Sequence, residues 1–197
     1  MIVAILGWGS LIWDPRNLQI DTTKGVRGWI EGGPWLPIEF ACISNDGRLT
    51  LVIAPNEDHE IATLYAFSKY QEVDEAILDL AVREGCGKNR IGVYIKHIDQ
   101  FSNNFLSKKF QQSRNRIIEW ISQKEIGALI WTNLSVNYEE KLNQKFSKEN
   151  VIGYLNFLSP DIQAKAEEYI RKAPKAVNTP IREEIEENLG WQRINVE

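Results

Sequence analysis

The chain begins with MIVAILGWGSLIW (residues 1–13), in which a short apolar run leads into a glycine-rich turn. The branched and aliphatic side chains of residues 1–6 are typical of a strand that is buried on both faces. Gly7, Gly9 and Ser10 end that pattern, so the strand is predicted to stop where the loop begins. Taken alone, the loop favours a tight structural turn. A turn whose backbone N–H groups bind an anion is the alternative.

Two different hydrophobic periods follow this loop. Strand patterns occur at residues 36–44, 49–55, 61–67, 90–98 and 126–132. The first two are separated by Asn45, Asp46 and Gly47, which is a typical hairpin turn. Helix spacing begins at residue 73 and stops at Gly85, a common residue after the C-terminus of a helix.

The C-terminal part of the chain is predicted to be helical. Apolar residues recur at helix spacing from 151 to 158. Two later helices each begin with a capping residue followed by proline, namely Ser159-Pro160 and Thr179-Pro180. The polar segment at about 99–125 is expected to be an irregular excursion with a helix towards its end. Strands first and helices late predict a single α+β domain over residues 1–197, built on a small mixed or closed sheet, with a helical tail at 173–197.

Composition excludes several classes of protein. The 197 residues are 43% hydrophobic, and the net charge of −4 argues against a nucleic-acid binder, which needs a concentrated basic surface. No apolar run approaches the ~20 residues of a membrane span. Two cysteines and two histidines provide neither a disulfide framework nor a zinc spacing. We therefore expect a cytoplasmic protein without a structural metal, and without nucleic-acid or membrane partners.

A glutamate falls on the apolar face of the helix that begins at residue 73. On a helical wheel with Val73 at zero, Ile77, Leu80 and Glu84 lie at about 40, −20 and 20 degrees. Glu84 therefore lies in the middle of the apolar stripe, in the last turn of the helix. A glutamate at this position is predicted to face the core.

Burial and the negative end of the helix dipole both raise the pKa of a carboxyl group. A raised pKa suits a general base or acid that works near neutral pH, so Glu84 is a candidate catalytic residue. Two alternatives remain open at this point. Either the helix ends before Glu84 and the side chain reaches solvent, or Arg83, Lys88 or Arg90 neutralises it.

Four motifs, taken in order, resemble the gamma-glutamylcyclotransferase-like superfamily. GWGSLIW (7–13) is similar to that superfamily's YGS loop, especially to the GYGSLIW form of the ChaC branch. ATLYAF (62–67) resembles the strand ahead of its glutamate helix, and REGCGKNRIGVY (83–94) resembles the segment in which glutamate and glycine end that helix. ENVIGYLNFLSPDIQAKAEEYI (149–170) is similar to the C-terminal helices of gamma-glutamylcyclotransferase proper.

The resemblance implies a small barrel-like sheet flanked by helices, with the loop and the glutamate facing each other across a cavity. It also implies an activity: a gamma-glutamyl amide, peptide or amine cyclises to 5-oxoproline and releases a free amine, with Glu84 as the general base and acid and with no cofactor. The substrate-binding residues that it implies are Trp8, Gly9, Ser10, Leu11 and Tyr94. For Tyr94, a strand tyrosine with its ring in the core is the alternative.

Two positions depart from the pattern. Trp8 stands where the superfamily usually has tyrosine, and Leu11 stands where gamma-glutamylcyclotransferase proper has asparagine. The loop thus resembles one branch and the C-terminal half another, and the leaving amine stays open. The competing hypothesis is a non-catalytic protein that binds a small metabolite or docks a partner through the same cavity. Under either hypothesis we expect a monomer or a homodimer.

Overall fold

The computed structural model describes residues 1–194. The chain divides into two compact units, each built from separate stretches of sequence. The first comprises Met1–Gly7, Asp14–Leu36 and Ala62–Leu134, and the second comprises Trp8–Trp13, Pro37–Ile61 and the chain from Ser135 onwards. The prediction of one domain over 1–197 stays a prediction, and residues 195–197 of the predicted tail lie outside the described residues.

Both units combine strands with helices, so the α+β class is confirmed. The strands are β1 (Val3–Gly7), β2 (Trp35–Leu36), β3 (Ile38–Ile43), β4 (Leu49–Ile53), β5 (Ile61–Ala62), β6 (Leu64–Phe67), β7 (Ile91–Ile95), β8 (Gln100–Phe101) and β9 (Ala128–Thr132). The helices are α1 (Val73–Glu84), α2 (Gln111–Ser122), α3 (Tyr138–Leu142), α4 (Lys148–Phe157), α5 (Pro160–Lys172) and α6 (Pro180–Leu189). In residues 1–194 no helix has the length and apolar character that crossing a membrane requires.

The first unit is organised around an open five-stranded sheet in the order β6-β1-β9-β7-β8. Strand β1 lies beside β9 in parallel and beside β6 antiparallel, and all five of its residues are buried. The mixed sheet agrees with the prediction, but closure is wrong: in the described part of the chain no closed barrel is present. The edge strand β8 is paired over two residues only, and β3 and β4 form a separate sheet in the second unit.

Strand parity separates the two faces of this sheet. Val93 and Ile95 of β7 line a groove together with Val73 and Ile77 of α1, so these strand residues lie on the α1 face. Tyr94 alternates to the opposite face, where its cross-strand partner is Leu129. Any residue of β7 that points as Tyr94 does is therefore separated from α1 by the sheet.

The segment at 99–125 is more ordered than the sequence predicts. It contains β8, two short 3-10 turns and the twelve residues of α2, which begins well before the apolar run near its end. Phe101, Phe105 and Phe110 are buried, and the Phe105 ring lies 4.4 Å from that of Phe110 and 4.8 Å from that of Trp131. Aromatic burial stabilises this segment although most of its residues are polar.

The second unit contains the predicted hairpin. Strands β3 and β4 pair antiparallel, Gly47 in the turn has φ of +85°, and a bulge interrupts the register between Phe40 and Cys42. The cap of α6 is also confirmed, because the Thr179 hydroxyl accepts the N–H of Arg182. Helix α5 begins at its proline, but Ser159 makes no side-chain cap hydrogen bond.

Candidate functional site

Helix α1 ends with Arg83 and Glu84, and the helix wheel is close to the structure there. Gly85 follows in the left-handed conformation, with φ of 63°, and terminates the helix as predicted. The centre of the buried face lies on Ala76, Leu80 and Arg83. Glu84 lies at the edge of that face, where 16% of its side chain is exposed. The glutamate is thus largely buried, as expected, and the helix does not end before it.

Arg83 is the partner of this carboxylate. Its Nη1 donates to Oε1 of Glu84 at 2.5 Å, and its Nη2 donates to the backbone carbonyl of Asp14 at 2.5 Å. Arg16 adds a second cation nearby: its Nη1 donates to the backbone carbonyl of Arg83 at 3.4 Å. The backbone of Arg16 is in the left-handed conformation, with φ of 53°, which non-glycine residues adopt only rarely. The neutralisation that the sequence left open therefore comes from Arg83, with help from Arg16.

Electrostatics at the end of α1 has two opposing causes. Burial raises the pKa of Glu84 above its ordinary value, and the charges of Arg83 and Arg16 together with the Arg83 hydrogen bond lower it in part. The net direction is upward. Such a carboxyl group is better matched to proton transfer near neutral pH than an exposed glutamate.

Cys86 lies next to this group and is not activated by it. Burial and the negative charge of Glu84 raise the pKa of the Cys86 thiol, against a smaller opposing effect of Arg90. Because the thiolate is the nucleophilic form, this cysteine stays a weak nucleophile at neutral pH.

Trp8, Gly9, Ser10 and Leu11 belong to the second unit. Trp8 and Leu11 are each 6% exposed, and the N–H of Ile12 donates to the carbonyl of Gly9 at 3.0 Å, which closes a turn. The tight turn predicted from the glycines is therefore present. Binding of substrate oxygens by the backbone of these residues stays a prediction.

The close approach at Gly9 is made by Tyr169 of α5. A Cβ atom at Gly9 would lie 2.6 Å from the Tyr169 hydroxyl oxygen, so a larger residue would force the end of this side chain to move. The Tyr169 and Trp13 rings pack edge to face, with their centroids 5.4 Å apart, and the Tyr169 hydroxyl accepts the N–H of Leu51 at 3.4 Å. The family resemblance predicts that glycine at position 9 lets the backbone come close to a substrate. In the structure the Tyr169 side chain, which sequence reasoning missed, lies in the space beside Gly9, and a role of Gly9 towards a substrate stays a prediction.

Tyr94 has the surroundings of a core tyrosine. The residue is 3% exposed, its ring lies 4.4 Å from that of Phe101, and its hydroxyl donates to Oδ1 of Asp99 at 2.8 Å. Burial and Asp99 raise its pKa to about 12. Because Tyr94 and α1 lie on opposite faces of the sheet, the structure does not bring this hydroxyl to Glu84, and the core alternative is the one that these contacts favour.

Glu39 is a second buried carboxylate that sequence reasoning missed. It lies in β3 with no exposed surface, and it accepts from the Phe40 N–H, from the Thr179 hydroxyl and from the Ile181 N–H in the first turn of α6. Burial raises its pKa, and these hydrogen bonds, together with His59 at 3.6 Å, oppose that effect. Since its oxygens already accept three donors, Glu39 has the surroundings of a helix anchor.

No group of three or more histidine, cysteine, aspartate or glutamate side chains in residues 1–194 is arranged to hold a metal ion. Comparison of the chain with protein-family models, with curated proteins and with solved structures yields no match. The resemblance to the gamma-glutamylcyclotransferase-like superfamily therefore depends on the four sequence motifs.

Proposed function

We propose that the protein is a gamma-glutamyl cyclotransferase in which Glu84 is the general base and acid. One observation carries the proposal: a carboxylate with a raised pKa lies largely buried at the end of α1, and a buried arginine holds it. The four motifs supply the reaction class, and the position of Glu84 in the REGCGKNRIGVY motif supplies its role.

The reaction needs one group that accepts and then returns a proton. Glu84 as carboxylate takes a proton from the α-ammonium of the gamma-glutamyl group, and the resulting amine attacks the side-chain carbonyl carbon. A carbon–nitrogen bond forms in the ring, and the carbon–nitrogen bond to the leaving amine breaks. Of the three ammonium protons, one stays on the lactam nitrogen and two end on the amine, which leaves as an ammonium ion. Glu84 finishes as the carboxylate that it was at the start, and no water is consumed.

The surroundings of Glu84 suit both halves of this cycle. Burial makes the carboxylate a stronger base than an exposed glutamate, and the charge of Arg83 keeps the ionised form accessible. Because the nucleophile and the carbonyl belong to one substrate molecule, holding a folded conformer supplies much of the acceleration.

The test is release of 5-oxoproline from a panel of gamma-glutamyl peptides, amides and amines, measured by mass spectrometry. We expect the wild type to convert at least one member of the panel and the Glu84→Gln variant to lose more than about 100-fold of that rate, as removal of a general base does. Glu75→Gln is the matched control, because Glu75 lies exposed in the first turn of the same helix. Full turnover by Glu84→Gln would refute the assignment of the base.

The non-catalytic alternative predicts a different outcome from the same panel. A metabolite-binding protein would bind a gamma-glutamyl compound in a stoichiometric, saturable manner and return it unchanged. Recovery of the intact compound after prolonged incubation, with a measurable dissociation constant, would favour that alternative over the enzyme.

A further inference from the structure

Arg83 has an unusual place for an arginine. It lies in the last turn of α1, on the same buried face as Ala76 and Leu80. Only 5% of its side chain is exposed. Arginine is rarely buried to this degree unless its donors are hydrogen-bonded.

The two ends of its guanidinium contact two different parts of the unit. Nη1 donates to the Glu84 carboxylate, and Nη2 donates to the backbone carbonyl of Asp14, the residue directly after the 8–13 loop. A planar guanidinium holds its donors in a rigid fork, so the positions of the two acceptors are coupled. The Glu84 carboxylate is therefore held relative to Asp14 and not only relative to its own helix.

The backbone of Arg83 is held from the same segment. The guanidinium of Arg16 donates to the Arg83 carbonyl at 3.4 Å, and Arg16 is also hydrogen-bonded to the Asp14 side chain at 3.2 Å. Residues 14–16 thus contact Arg83 at its side chain and at its backbone. This arrangement distinguishes Arg83 from Lys88 and Arg90, which follow Glu84 in sequence and are exposed.

We propose that Arg83 is a positioning residue for the proposed general base: it holds the Glu84 carboxylate in one orientation and ties it to the segment that follows the 8–13 loop. This inference rests on the proposed function for its consequence in catalysis. An exposed carboxylate would sample several rotamers, and a base must lie within hydrogen-bond reach of the proton that it removes. Arg83 limits the number of rotamers that the Glu84 side chain adopts before the substrate binds.

The first experiment tests the contact between Arg83 and Glu84 by measuring the pKa of Glu84 in the absence of substrate. The titration of the Glu84 carboxyl carbon is followed by NMR in the wild type, in Arg83→Gln and in Lys88→Gln, with the Glu84→Gln variant identifying the resonance. We expect the pKa of Glu84 to rise in Arg83→Gln, because an opposing charge and a hydrogen bond are removed, and to stay at the wild-type value in Lys88→Gln. An unchanged titration in Arg83→Gln overturns the inference.

The second experiment reads the effect on turnover. In Arg83→Gln we expect kcat to fall about tenfold with KM little changed, and the acidic limb of the pH profile of kcat/KM to move to higher pH. Arg83→Lys keeps the charge without the fork, and its kcat should fall while the acidic limb moves less. Circular dichroism spectra show whether each variant is folded. If Arg83→Gln does not fold, Arg83→Lys is used for the comparison with wild type.

The two hypotheses fail in different ways. If the wild type releases no 5-oxoproline but the Glu84 titration moves in Arg83→Gln, the proposed function fails and the contact between Arg83 and Glu84 stands. If the wild type is active and neither kcat nor the pH profile changes in the two Arg83 variants, the positioning role fails and the proposed function stands.

Discussion

The substitution Gly92→Ala tests the packing of the first unit. Gly92 pairs across strands with Trp131, and the Trp131 indole lies over the Gly92 backbone. A Cβ atom at this position would lie 2.2, 2.3 and 2.6 Å from Cε2, Nε1 and Cζ2 of that ring. Carbon atoms in contact need about 3.5 Å, so the ring would have to move by roughly 3.5 − 2.2 = 1.3 Å.

That movement would displace the ring against its buried neighbours. Trp131 is fully buried and lies against Phe101 and Phe105 in the aromatic cluster of the 99–125 segment. Overpacking of a closed core costs about 1–3 kcal/mol, and displacement of a large ring belongs at the upper end of that range. We therefore expect the free energy of unfolding to fall by about 2–3 kcal/mol.

Urea denaturation followed by far-ultraviolet circular dichroism measures this loss. For a slope of about 2 kcal/mol per molar urea, the midpoint should fall by about 1–1.5 M. Gly153→Ala is the matched control: Gly153 lies exposed in α4, its added Cβ would have no neighbour within 4 Å, and the helix should become about 0.5–1 kcal/mol more stable. A midpoint for Gly92→Ala equal to that of the wild type would refute the packing argument.

Three further predictions concern buried polar groups. Because the pKa of Glu84 is raised in the folded state, its ionisation costs stability as the pH rises above the pKa of the unfolded chain. In thermal melts the free energy of unfolding of Glu84→Gln relative to wild type should therefore increase as the pH rises above the ordinary titration range of glutamate, and a pH-independent difference contradicts this. Gly9→Ala should destabilise the second unit by about 1–3 kcal/mol, and Tyr169→Phe should recover part of that loss in the double variant; strict additivity in urea would show that the two residues are not in contact. Thr179→Val removes the cap of α6 and one hydrogen bond to Glu39, so a loss of about 2 kcal/mol in calorimetry is expected, and a loss below about 0.5 kcal/mol would show that the cap contributes little.

Part of the candidate site could be predicted from the sequence because its signals are local. The period of the apolar residues places Glu84 on the buried side of α1, and Gly85 marks where that helix ends. These signals extend over a few turns of one helix, and they do not reveal which distant residue meets the carboxylate. Arg16 contacts α1 only because the chain folds back on itself. The helical wheel centres the buried face near Glu84, whereas in the structure that face is centred closer to Arg83, which is why Arg83 is buried.

Local sequence signals are sufficient to predict four elements: the buried strand β1, the β3–β4 hairpin with its glycine turn, helix α1 with its terminating glycine, and the capped start of α6. Three features depend on contacts between distant residues: the sheet stays open, Tyr94 faces away from α1, and the Tyr169 hydroxyl lies close to Gly9. These two groups of features differ in the range of the interactions that cause them. Backbone propensity, turn chemistry and caps act between near neighbours in sequence, whereas sheet order and side-chain contacts depend on residues brought together from distant parts of the chain.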